Sequence, residues 1–125
     1  MSYAITWGGD PEDLTITFSG PVATAEVLAA FDELRSSPAY HGSLRILQDH
    51  RAADWSEVTA DDIRKRAEAI VANTAEDERH RVAVVVDRQL GFGLMRIREA
   101  HMDGRIPTTD RVFYDLDAAR DWLRE

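Results

Sequence analysis

Three stretches of this chain gather residues able to bind or react: Asp49-His50-Arg51, Asp87-Arg88 with Phe92 close behind, and Asp115. Each lies just after a run that reads as a β-strand. In open α/β sheets, ligands bind beyond the carboxyl ends of the parallel strands, where helix N-termini also present free N–H groups. Arg51, Arg88 and Arg96 would add positive charge there. A guanidinium meets a carboxylate or phosphate through two parallel donors, so such a rim suits an anionic small ligand or an acidic partner segment. The same residues have a plainer use. Asp49 and Arg51 can brace a loop, and Asp87 with Arg88 can form a solvated turn. Arg96 can pair with Asp49 or Asp87 across the rim, which at a surface contributes about 0–1 kcal/mol.

Other chemistries are not signalled. His41, His50, His80 and His101 show no metal-ligand spacing, and there is no cysteine. A centre built from Asp49, His50 and His101 would still lack the three or four convergent ligands that a metal needs. There is no Gly-x-Ser-x-Gly elbow, and Gly91-Phe92-Gly93 lacks the Lys and Ser/Thr of a phosphate-binding loop. The expectation is a protein that is not an enzyme and takes no cofactor or metal. Trp55, Phe92, Met95 and Met102 fall near expected loops or at a helix edge; exposed together, they would mark an interface. A symmetric homodimer is the default form of such a contact.

The elements that must position these residues follow from hydrophobic period. Tyr3 to Trp7 and Leu14 to Phe18 alternate as strands, joined across Gly8-Gly9-Asp10-Pro11 in a hairpin and stopped at Gly20-Pro21. Thr24 is expected to cap a helix with Val27, Leu28, Phe31 and Leu34 on one face, ending at Ser37-Pro38. Leu44 to Gln48 is the next strand, followed by a polar connection over 50–58. A second helix opens at Thr59, with Asp61 and Asp62 in its first turn and Ile63, Ala67, Ile70 and Val71 inward. Val82 to Val86, a β-branched run, reads as a strand buried on both faces. Leu90 to Asp103 is a third helix with Leu90, Leu94, Ile97 and His101 on one stripe and Gly104 at its C′ position. Arg111 to Tyr114 is a last strand. Asp115 or Asp117 then caps a final helix with Ala119, Trp122 and Leu123 inward.

The order ββαβαβαβα predicts an α/β fold: a mixed five-stranded sheet with about four helices, the first strand antiparallel at an edge. The 125 residues fit one domain, and the 44% apolar and 30% charged fractions are globular values. The start has no signal-peptide pattern, and the longest apolar run is far below the ~20 residues of a membrane span, so a soluble cytoplasmic protein without membrane insertion is expected. A net charge of −8 argues against nucleic-acid binding. That charge is uneven: residues 1–38 hold six acids and one base, whereas residues 81–105 hold five arginines and three acids.

In order and spacing, Leu44-Arg45-Ile46-Leu47-Gln48-Asp49-His50-Arg51, Val82 to Val86, Phe92-Gly93-Leu94-Met95-Arg96, Val112-Phe113-Tyr114-Asp115 and Ala118 to Leu123 resemble the SpoIIAA-like, STAS-like proteins over nearly the whole chain. That resemblance implies the fold of anti-sigma-factor antagonists and a regulatory, non-enzymatic role through a protein partner or a homodimer. A related fold occurs in CRAL-TRIO lipid-binding domains, which are longer, and the alternative is a carrier of an apolar or anionic small ligand at the strand-end rim. In the antagonists a serine in an Asp-Ser-Ser-Gly motif opens the second helix and is phosphorylated. The matching stretch here is Glu57-Val58-Thr59-Ala60, which lacks the motif and leaves Thr59, with Ser56 nearby, as the possible phosphoacceptor. An N-cap role for Thr59 competes with that one.

Overall fold

A computed structural model describes residues 2–125. It contains β1 (Tyr3–Trp7), β2 (Leu14–Pro21), α1 (Thr24–Arg35), β3 (Arg45–Asp54), α2 (Ala60–Asn73), β4 (Arg81–Val85), α3 (Gln89–Met102), β5 (Thr109–Phe113) and α4 (Leu116–Arg124). The five strands lie side by side in chain order, β1-β2-β3-β4-β5; β1 is antiparallel to β2 and every other pair is parallel. The expected α/β architecture and element order are therefore observed.

Side-chain alternation separates two cores. Leu14, Ile16, Phe18, Ile46, Val82, Val84, Val86 and Val112 form one with Val27, Ala30 and Leu34 of α1, Ile63 of α2, and Leu94 and Met95 of α3. Leu47, Ala83 and Val85 face the other way onto Ala119, Trp122 and Leu123 of α4. Fully burying a side chain of this size stabilises by roughly 1.5–3 kcal/mol relative to leaving it in water. Because β4 supplies both cores, residues 82–86 are all buried, as their composition predicts. Helix α4 packs on β4 and β5. On that same face nearer β1, Ala4, Thr6 and Thr17 stay open to solvent.

Local chemistry fixes the helix starts. Thr59 Oγ1 accepts from the Asp62 N–H at 3.1 Å, and Asp62 accepts from the Thr59 N–H at 2.9 Å, closing a capping box. Asp115 caps α4 by accepting from the Asp117 N–H at 3.1 Å. Thr24 is not a cap: Ala23 holds that position, its N–H donates to Glu26 Oε1 at 3.4 Å, and Thr24 starts the helix. The Thr24 hydroxyl instead accepts from Arg66 Nε at 3.3 Å. Gly104, with φ at +75°, follows α3 in the left-handed conformation that favours glycine.

Two further expectations need correction. Strand β3 does not stop at Gln48. It runs to Asp54, because β2 also continues past Phe18 and pairs Ser19, Gly20 and Pro21 with Ala52, Ala53 and Asp54 after an irregularity at Thr17/Ser19. The buried stripe of α3 is also rotated: Gly91, Leu94, Met95, Arg98 and Met102 face inward, while Leu90 is 52% exposed and Ile97 and His101 are half-buried.

Candidate functional site

The longer β3 places Asp49 and Arg51 within a strand, not at its end. They bind each other: Arg51 Nε donates to Asp49 Oδ1 at 2.9 Å and Nη2 to Oδ2 at 2.8 Å. Arg51 holds the Asp49 carboxyl below its usual range. Arg88 lies 3.8 Å from Asp87 and is largely exposed. Arg96 pairs with neither Asp49 nor Asp87; it lies 3.6 Å from Glu99 one turn along its own helix. Arg51 and Arg88 do converge, around a shallow depression of about 350 Å³ shared with Trp55 and Leu90. Arg96 and Phe92 do not line it. The sheet order never reverses, so there is no switch point of the kind that opens a crevice at the strand ends.

Phe92 has a different neighbour. Its ring stacks on Tyr114 at 4.2 Å between centroids and 8° between planes. Tyr114, just past β5, is 49% exposed, and Leu90 opens the same end of α3. Leu90 and Tyr114 are the exposed large hydrophobics among the described residues. Trp55, Met95 and Met102, expected as possible interface residues, are buried instead. Gly91 permits the close packing of Trp55: a Cβ there would come within 2.5 Å of the indole nitrogen.

The most concentrated polar chemistry is inside the helix-facing core. Arg98 is 1% exposed; its Nη2 donates to Asp110 Oδ2 at 2.9 Å and to Gln48 Oε1 at 3.3 Å. Gln48 Oε1 also lies 3.2 Å from His50 Nε2. An oxygen that accepts from Arg98 assigns the proton to His50 Nε2 and leaves Nδ1 as a lone pair. His50 is fully buried, stacked against Phe18 at 4.5 Å and Trp55 at 5.6 Å. Burial pushes its pKa well below the ordinary value, and the charges of Arg98 and Arg66 push it further. Burial also raises the Asp110 carboxyl, with Arg98 opposing. Arg66, 3% exposed, donates through Nη2 to the Val22 carbonyl at 2.7 Å, and burial lowers it to about 10.

The sequence reading did not find this cluster. Arg98 reads as surface by type. Its signal is position: it stands seven residues after Gly91, four after Leu94 and three after Met95, on the stripe that those three define. His101 lies elsewhere, 2.7 Å from Glu68, so the structure does not join Asp49, His50 and His101. Among the described residues, no group of three His, Cys, Asp or Glu side chains could hold a metal ion. No helix among them is long and apolar enough to cross a membrane. Thr59 is exposed, but its hydroxyl is committed to the cap.

No family model matches the chain, and neither does any curated protein. Among solved structures it is similar to an uncharacterised protein of the DUF3478 family with a SpoIIAA-like fold, from Shewanella loihica PV-4. The TM-score is 0.61 at 17% identity, over 97% of this chain and 91% of that one. The fold is SpoIIAA-like. At that identity the likeness shows the fold alone; within it, this chain's Phe92–Tyr114 step lies where α3 begins and β5 ends, and its Arg98 cluster lies inside.

Proposed function

We propose that this chain is a non-enzymatic, STAS-like interaction module that binds a protein partner or a second copy of itself through the corner where α3 begins and β5 ends. The observation that carries this reading is the exposed apolar step: Leu90 at 52%, Tyr114 at 49%, and the Phe92 ring stacked on Tyr114. Large apolar side chains left in water at one corner mark binding surfaces more often than isolated ones do. Arg51 and Arg88 border the adjoining depression and would supply the polar rim that such interfaces carry. The SpoIIAA-like fold supports a module of this kind.

The regulatory role would differ in its trigger from that of the phosphoserine antagonists. At the matching helix start, Asp62 already occupies the anion position at the Thr59 N–H. A phosphate on Thr59 would add charge beside it and weaken the cap.

The test is sedimentation velocity on the purified chain, with cross-linking and mass spectrometry in the source cell, for the wild type and for Leu90→Asp and Tyr114→Asp. The expected result is a dimer or one reproducible cross-linked partner that both substitutions remove, with the thermal midpoint unchanged. A monomer with no cross-link through this corner would overturn the proposal.

A further inference from the structure

A second feature lies away from that corner, in the cleft between α1 and α2. Its walls are apolar: Leu28 and Phe31 from α1, Ile70 from α2, and Ile106 from the loop before β5. All four are half-buried, although their neighbours Val27, Leu34 and Ala67 are fully buried. The floor is polar, made by Gln48, Arg98 and Asp110. As it stands, the cleft encloses about 30 Å³, room for roughly one water molecule. Helix α1 meets α2 more sparsely than α2 meets α3, so the cleft is the more open of these two seams.

Two observations give this seam a chemistry. The first is a donor without a use: Arg98 Nη1 is buried and has no hydrogen-bond partner among the described residues. A buried unmade hydrogen bond is costly, so a ligand that supplies an acceptor gains what the fold forgoes. The second is charge balance. Arg98 is 2.9 Å from Asp110 and Arg35 is 3.0 Å from Glu78, and all four line the cleft. The lining cations are thus already matched by acids, and Asp32 at the edge adds one further negative charge. An anion taken in here would be buried without a free countercharge, which is strongly disfavoured.

We propose that the seam is a binding site for a small uncharged amphiphile. An apolar ring or short chain lies between Leu28, Phe31, Ile70 and Ile106, and a hydroxyl or carbonyl oxygen accepts from Arg98 Nη1. The ligand parts α1 from α2, and the walls, already partly solvated, expose little new apolar surface as it does so. This site is independent of the interaction corner, which lies at the other end of α3.

The experiment is an NMR titration of the isotope-labelled full chain at neutral pH with three probes that share one ring: benzyl alcohol, benzene and benzoate. Saturable shifts are expected at the Leu28, Ile70 and Ile106 methyl groups and at the Arg98 side chain. Benzyl alcohol should bind about fivefold more tightly than benzene, the increment of one net hydrogen bond, and benzoate should bind more weakly than either. Ile70→Trp and, separately, Phe31→Trp fill the seam from half-buried positions; each should abolish the shifts while leaving the far-ultraviolet circular dichroism unchanged. Shifts scattered over the surface, benzoate binding as tightly as benzyl alcohol, or benzene matching benzyl alcohol would each overturn the proposal. The wild-type series alone is decisive should either tryptophan variant fail to fold.

Discussion

Two arginine–aspartate pairs of nearly equal length behave as opposites. Arg98 and Asp110 meet at 2.9 Å with side chains 2% and 9% exposed; Arg51 and Asp49 meet at 2.8 Å with side chains 48% and 17% exposed. The outer pair has the better geometry, two parallel bonds within one strand. The inner pair joins α3 to β5 across the helix-facing core. Water screens the first, and its loss leaves two groups that solvent can satisfy. Nothing replaces the second, so losing one partner strands a charge in the interior. Distance alone ranks neither pair; the surroundings decide what each contributes.

The largest expected effect is at the inner pair. Asp110→Ala should lower the unfolding free energy by about 3–5 kcal/mol, measured by urea denaturation, because Arg98 keeps its charge without a counterion. An effect below that of an exposed pair would remove the distinction between the two. Next is Gly91→Ala, which drives a methyl group into the Trp55 ring and should cost about 1–3 kcal/mol through overpacking, read from the same denaturation curves.

Acid should act on the inner region too. His50 and His80 are both buried, and burial lowers the pKa of each below the ordinary value. Each binds a proton more readily when unfolded than when folded. Their neutral forms therefore cost nothing above the unfolded pKa of about 6.5, and stability is lost as pH falls below it, at about 1.4 kcal/mol per unit for each group. His50→Phe should flatten that slope by one proton; an unchanged slope would show that His50 does not carry it. Thr59→Ala, which removes a cap hydroxyl, should cost about 1 kcal/mol by thermal denaturation. Asp49→Ala completes the series at about 0–1 kcal/mol, and a larger loss would mean that the Asp49–Arg51 pair carries structural weight despite its contact with water.

The contrast also explains what the sequence made legible. The β4 run, the Thr59–Asp62 cap, the Asp115 cap and the inward triplet Ala119, Trp122 and Leu123 all use residues whose type announces their place. The buried polar cluster does not, because Arg98, Gln48 and Asp110 are residue types that usually face water. Leu90 misleads in the opposite sense: an apolar residue at helix spacing that stays in solvent. The end of β3 was hidden for another reason. Arg51-Ala52-Ala53-Asp54 has little strand preference of its own and is held by pairing with Ser19 to Pro21. Of the residues expected at the rim, Arg51 and Arg88 share one depression; spacing in sequence did not show that β3 runs on past Asp49, or that Arg96 turns to Glu99.

The strand order also bears on how the chain finds its fold. Because each strand lies beside its predecessor in sequence, the sheet can grow from the β1–β2 hairpin by closing one short crossover at a time. Each of those crossovers carries a helix, so loop-closure entropy is met before each parallel pairing forms, which slows folding relative to a purely local topology. One contact departs from that pattern. Glu12, in the hairpin turn, accepts from Arg120 of α4 at 2.9 Å, across 108 residues of sequence. It ties the first turn of the chain to its last helix and so joins the two ends of the sequence.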